Sequence, residues 1–155
     1  MQAIEETLRK FGIESVEIIQ QNIAEAGQNA SGQTSREIKW ETPKPNRLVV
    51  DGPPYVYVLE TGRRPGRMPP IKPILDWIAT GKPNITNKIE SAAWAISKTI
   101  AAKGTKLFQQ GGRRDIITPA LSEDRFDQLT NDIADISFKL VVNKIDEGLN
   151  GAPNP

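Results

Sequence analysis

Between Ile4 and Ala26 apolar residues recur at every third or fourth position or a multiple of it: Ile4, Leu8, Val16, Ile19, Ile23 and Ala26. Glu5, Glu6, Lys10, Glu14, Glu17 and Gln20 lie between them. That spacing puts the apolar side chains on one face of a helix and predicts an amphipathic one. Gly12 interrupts it at a cost of about 1 kcal/mol relative to alanine, which points to a close packing contact or a slight bend. Gly27 and the polar run 28–33 end the helix.

The pattern then changes. In 34–40, Ile38 and Trp40 stand two apart, and 47–50 is a short β-branched run beyond Pro43 and Pro45. A period of two with prolines between the runs predicts a hairpin with a proline-bearing loop. Asp51, Gly52, Pro53 and Pro54 break the chain, and the alternating residues of 55–60 suit either a further strand or a short helix started by the prolines.

Next comes 62–70, Gly-Arg-Arg-Pro-Gly-Arg-Met-Pro-Pro, too rich in glycine and proline for regular structure and therefore a loop. Ile71, Ile74, Leu75 and Ile78 share a helical face with Trp77 beside them, and Gly81 serves as the stop. Asn84 or Thr86 is expected to cap a helix with the face Ile89, Ala92, Ala93, Ile96 and Ile100, ending at Gly104. A second glycine and arginine loop, 109–115, leads to Thr118 and Pro119, which read as the N-cap and first-turn proline of a last helix. Its apolar positions are Leu121, Phe126, Leu129, Ile133, Ile136 and Leu140, prolonged by Val141 and Ile145 to Gly148. The expected fold is α+β: one small antiparallel sheet packed with an N-terminal helix and two or three C-terminal helices. It forms a single domain over 1–149 with a frayed tail at 150–155.

Composition narrows the chemistry. At 155 residues with 37% hydrophobic and 25% charged positions, the chain has the balance of one folded domain. No apolar run approaches the roughly 20 residues of a membrane-spanning helix, and the start lacks the order of a signal peptide, so the expectation is a cytoplasm-like compartment and no membrane partner. The chain has no cysteine and no histidine, which removes disulfides, thiolate metal sites, a cysteine nucleophile and most hydrolase schemes. Twenty basic against nineteen acidic residues leave +1, so no global field draws the protein to nucleic acid.

No phosphate-binding fingerprint is present, since the glycines of 62–66 fit neither the P-loop nor the dinucleotide spacing. The carboxylate pairs Glu5 with Glu6 and Glu123 with Asp124 occupy helical or capping positions, where charged residues face water. No catalytic, cofactor-binding or metal-ligating residues are assigned. The sharper signal is the pair of loops bearing Arg63, Arg64 and Arg67 with Met68, and Arg113 with Arg114. Arginine's planar fork pairs bidentately with carboxylate or phosphate. Their plain reading is exposed loops whose arginines bind acids of the same chain. The functional readings are a salt-bridged contact between subunits or a contact with a DNA backbone. Trp94 joins them as a candidate partner contact, because the apolar stripe of its helix is already filled by Ile89, Ala93, Ile96 and Ile100.

Ser31-Gly32-Gln33-Thr34-Ser35-Arg36-Glu37-Ile38 resembles the small-residue turn and first strand of the head-to-tail connector, neck and tail-completion proteins of tailed bacteriophages. Tyr55-Val56-Tyr57-Val58-Leu59-Glu60-Thr61-Gly62-Arg63-Arg64-Pro65-Gly66 resembles their Tyr-rich segment ending in Glu-Thr-Gly with basic residues. Met68-Pro69-Pro70-Ile71 with Ile74 and Trp77-Ile78, then Ala95-Ile96 to Lys103-Gly104-Thr105, resemble the helices that follow. About two thirds of the chain is covered in order, and the 109–115 loop and the long last helix depart from the pattern.

The resemblance implies a structural virion protein and not an enzyme. It would be one copy of a ring around the DNA channel at the head–tail junction, next to a portal or adaptor and tail proteins, assembled in the host cytoplasm. A nucleic-acid-binding protein is the alternative, and a small hydrolase is further off.

Overall fold

The computed structural model describes residues 2–28, 32–81 and 83–150. The fold is α+β, with one two-stranded antiparallel sheet among helices. In chain order the elements are α1 (Gln2–Glu25), α2 (Gln33–Glu37), β1 (Lys39–Lys44), β2 (Arg47–Asp51), α3 (Val58–Thr61), α4 (Ile71–Ala79), α5 (Ile89–Lys103), α6 (Lys106–Gln109) and α7 (Glu123–Asn150).

The stripe read in the sequence of α1 is its buried face: Leu8, Val16, Ile19 and Ile23 are buried, together with Phe11 and Ser15. Val16, Ile19 and Ile23 meet Ile38, Ile116 and Ala120 in the main core, with Trp40, Val50, Val56 and Leu59 packed around them. Gly12 marks a close approach, because a Cβ there would lie 2.8 Å from Leu48 Cδ1 and 3.1 Å from Trp40 Cγ. The helix therefore rests directly on the hairpin, and larger side chains at this point would lift it off.

The hairpin pairs Trp40 with Val50 and Glu41 with Val49, and an irregularity between Glu41 and Lys44 precedes the turn. Pro43 fits inside β1 because a two-stranded sheet is all edge, where a missing N–H costs no ladder bond. Asn46 turns the chain at φ 57, a left-handed conformation asparagine tolerates.

Four expectations need correction. Residues 33–37 form a helical turn, begun by Gly32 at φ 73 and braced by a 2.7 Å bond from Gln33 Nε2 to Glu37 Oε1, so the strand starts only at Lys39. Ile38 is buried in the core beneath α1, and its two-residue spacing from Trp40 marks the junction of helix and strand. Helix α5 is preceded by Lys88 at φ 53 with no side-chain cap, and neither Asn84 nor Thr86 caps it. Thr118 and Pro119 do not open α7, which begins at Glu123, because the Thr118 hydroxyl and amide both donate to Glu60. Gly148 does not stop α7, which continues to Asn150.

Smaller differences concern limits. The segment 55–60, open between strand and helix, is a turn leading into α3. The second loop is shortened by α6, which takes in Gln109. The polar run 28–33 and the tail 150–155 fall partly outside the described residues, at 29–31 and 151–155.

A second, smaller core lies between α4 and α5, where Ile74, Ile78 and Ala93 are buried among Ile71, Leu75, Ile85 and Ile96. It joins the rest of the chain through 62–70 and 104–115, the two loops singled out in the sequence. Ser97, buried in α5, donates a 2.8 Å bond to Pro69 O and so ties the first loop to the helix pair.

Candidate functional site

The two arginine loops are stitched together around Glu60. Its Oε1 accepts the backbone N–H groups of Ile116, Ile117 and Thr118 at 2.9, 2.7 and 2.9 Å, and Oε2 accepts the Thr118 hydroxyl at 2.9 Å. Three successive amides turned toward one carboxylate form a ready anion site. Burial pushes the Glu60 carboxyl up, but the amides and the Thr118 hydroxyl together pull it further down, and it ends below the ordinary glutamate value. The Glu60 carbonyl in turn accepts Arg113 N at 2.8 Å.

Glycines make the approach possible. A Cβ on Gly62, at φ +68, would fall 2.4 Å from Phe108 N. One on Gly104 would fall 2.7 Å from Arg63 O, and one on Gly112 would fall 2.8 Å from Glu60 O. Between these contacts Thr105 donates its N–H to Arg63 O at 2.8 Å, and its hydroxyl oxygen accepts Arg63 N at 3.0 Å. Gly66 N reaches Ala101 O at 2.9 Å. The Glu-Thr-Gly motif is thus the fastener that holds one loop against the other.

The arginines divide into two kinds. Arg113 grips Asp115 through Nε and, at 2.6 Å, through Nη2, which raises the guanidinium's pKa and lowers the carboxyl's. Arg63 folds back on its own loop and donates Nη2 to Arg67 O at 2.9 Å. The plain reading of intramolecular pairing therefore holds for Arg113. Arg64, Arg67 and Arg114 are exposed, and their guanidinium groups make no hydrogen bond or ion pair with described residues. Met68 is exposed on the same loop. A hollow of about 270 Å³ opens between Tyr57, Arg63, Arg64 and Phe108.

Beside the loops runs an apolar groove of about 690 Å³ whose walls include Ile74, Trp77, Ile96, Ile100 and Leu107. Gly104 and Thr105 belong to both the groove and the loop junction. Trp94 is 48% exposed but does not line the groove. Trp77 does; in the sequence it is a core or interface anchor beside the apolar face of its helix, and Trp94 is preferred to it as the partner contact.

Among the described residues no three carboxylates are grouped to hold a metal ion, and no helix is long and apolar enough to cross a membrane. The arrangement offers free guanidinium groups next to an apolar recess, which suits binding an anionic and partly apolar surface. No protein-family model, curated protein or solved structure matches the chain.

Proposed function

We propose that this chain is a structural subunit of a tailed-phage virion, one copy of a ring at the head–tail junction that surrounds the DNA channel. Its neighbours would be further copies of itself, a portal or adaptor, and tail proteins, and its work would be assembly and not catalysis. The observation that carries the reading is the convergence of the two loops. Segments about fifty residues apart are fastened by Glu60 and three glycines, leaving Arg64, Arg67 and Arg114 without a partner among the described residues, on loops that border an apolar groove. A fold that uses a half-buried carboxylate and three glycines to position exposed loops is suited to presenting them to something else. Arginine and aromatic residues beside an apolar recess are the composition of a protein interface.

Changing Arg64, Arg67 and Arg114 together to glutamate is expected to abolish assembly with an unchanged far-UV circular dichroism spectrum. Assembly that survives the triple change would sink the role given to the loops. The same three guanidinium groups support a second reading, contact with DNA phosphates. Three phosphate contacts give a slope of log K against log salt of about −3, which filter binding of the free chain to duplex DNA would reveal.

A further inference from the structure

Helix α7 carries two opposite stripes. Phe126, Leu129, Ile133, Ile136 and Leu140 recur at alternating steps of three and four, and the first part of this stripe lies on α1. The Phe126 ring stands 5.5 Å from that of Phe11, and Ile136 lines one surface hollow with Ala3 and Thr7 of the start of α1. The two helices are therefore antiparallel, and α1 runs out where Ile136 is reached. Residues 138–150 are all exposed, about 20 Å of helix at 1.5 Å per residue.

The second stripe is Asp124, Asp127, Asn131, Asp135, Phe138, Val142, Ile145 and Leu149, again at steps of three and four. At about 100° per residue it lies on the side of α7 away from α1. Its first half is acidic and polar and its second half is apolar. Phe138 is 71% and Leu149 73% exposed, so this apolar half has no cover among the described residues. A solvated helix does not keep four large apolar residues in register on a free arm without a partner.

The loop and groove surface has the complementary chemistry: exposed Arg64, Arg67 and Arg114 on the loops, and the apolar groove between α4, α5 and α6 with Lys106 lining it. Helix α7 as a whole holds seven acidic against three basic residues. We infer that the outer stripe of α7 docks on the loop and groove surface of a second copy, with Asp127 and Asp135 toward the arginines and Phe138, Val142, Ile145 and Leu149 in the groove. This is the helix-in-groove mode of recognition, with charge setting the direction. The donor and acceptor surfaces are different parts of the chain, so each copy gives one and receives one, and the contact is head-to-tail. It rests on the ring reading above and supplies the contact from which such a ring is built.

The test uses the absence of cysteine from the chain. One preparation carries Ile145→Cys on the arm and another carries Thr99→Cys on the groove wall; both positions are exposed. Mixed and treated with a short bis-maleimide, they are expected to give a covalent dimer in at least tenfold excess over either preparation alone. Adding Asp127→Lys and Asp135→Lys to the arm chain should lower the yield about tenfold, and Arg64→Glu with Arg114→Glu on the groove chain should restore it. Cross-linking of Ile145→Cys chains to one another would overturn the proposal in favour of arm-to-arm pairing. A ring-sized mass with no arm-to-groove product would overturn the docking mode and leave the ring reading standing, whereas a monomer with no product of either kind would remove both.

Discussion

Glu60 is the residue on which the site turns, and its behaviour with pH follows from its surroundings. Its carboxyl is held below the ordinary value in the folded chain. A group whose folded pKa is depressed contributes stability above its unfolded pKa, about 4.3, and loses it as pH falls through the folded value. Glu60→Gln keeps an acceptor but no charge, so it should melt lower than the parent near neutral pH, by about 1–2 kcal/mol of stability. The two melting curves should approach each other as the pH is lowered below 4, and a gap independent of pH would show that the charge contributes nothing.

Glycines give a second contrast at this scale. Gly62→Ala combines a left-handed φ with a clash against backbone and should cost about 3 kcal/mol or more. Gly27→Ala has the same sign of φ and open space, and should cost only about 1–2 kcal/mol in the same urea titration. Equal losses would mean that the loop junction is looser than its distances suggest. The identity of the Glu-Thr-Gly motif was legible in the sequence. Its role was not, because the amides that Glu60 receives come from residues 116–118, more than fifty positions away.

Among the elements, those defined by local periodicity were readable and those defined by distant contacts were not. Helices α1, α4 and α5 follow their apolar stripes, and Gly81 and Gly104 end the latter two at φ +73 and +78 as glycine stops do. The α7 start was misplaced because Thr118, a good N-cap by sequence, is drawn to Glu60. Its apolar pattern also hid a change of face: Leu140 belongs to the α1 side and Ile145 to the outer side, with Val141 between them. Reading them as one stripe conceals the free arm.

Removal of residues 141–150 should therefore leave the melting temperature of the monomer within about 2 °C, since no residue of α7 is buried and the deleted part touches no core. Phe11→Ala, by contrast, removes a buried ring packed on Phe126 and stacked under the Arg125 guanidinium, and should cost about 3 kcal/mol or more. A truncation as damaging as Phe11→Ala would place the arm inside the folded body.

At the scale of the whole molecule, two small cores are joined by the loops that carry the candidate site. One hairpin pattern between an N-terminal helix and a run of C-terminal helices foretold the α+β class, but the partition into a hairpin core under α1 and a helix-pair core between α4 and α5 needed contacts that no local pattern encodes. The near-zero net charge hides a strong internal asymmetry between the acidic α7 and the arginine loops, and it is this asymmetry that suits a chain meeting its own copies. In the proposed assembly such copies close into a ring. The most direct measurement is the mass of the purified chain by light scattering across concentration, followed by electron microscopy of the largest species. The expected result is a multiple of the 17.1 kDa protomer that appears as closed annuli with a central opening. A strict 17.1 kDa monomer at every concentration, with no annuli when portal or tail partners are added, would contradict it.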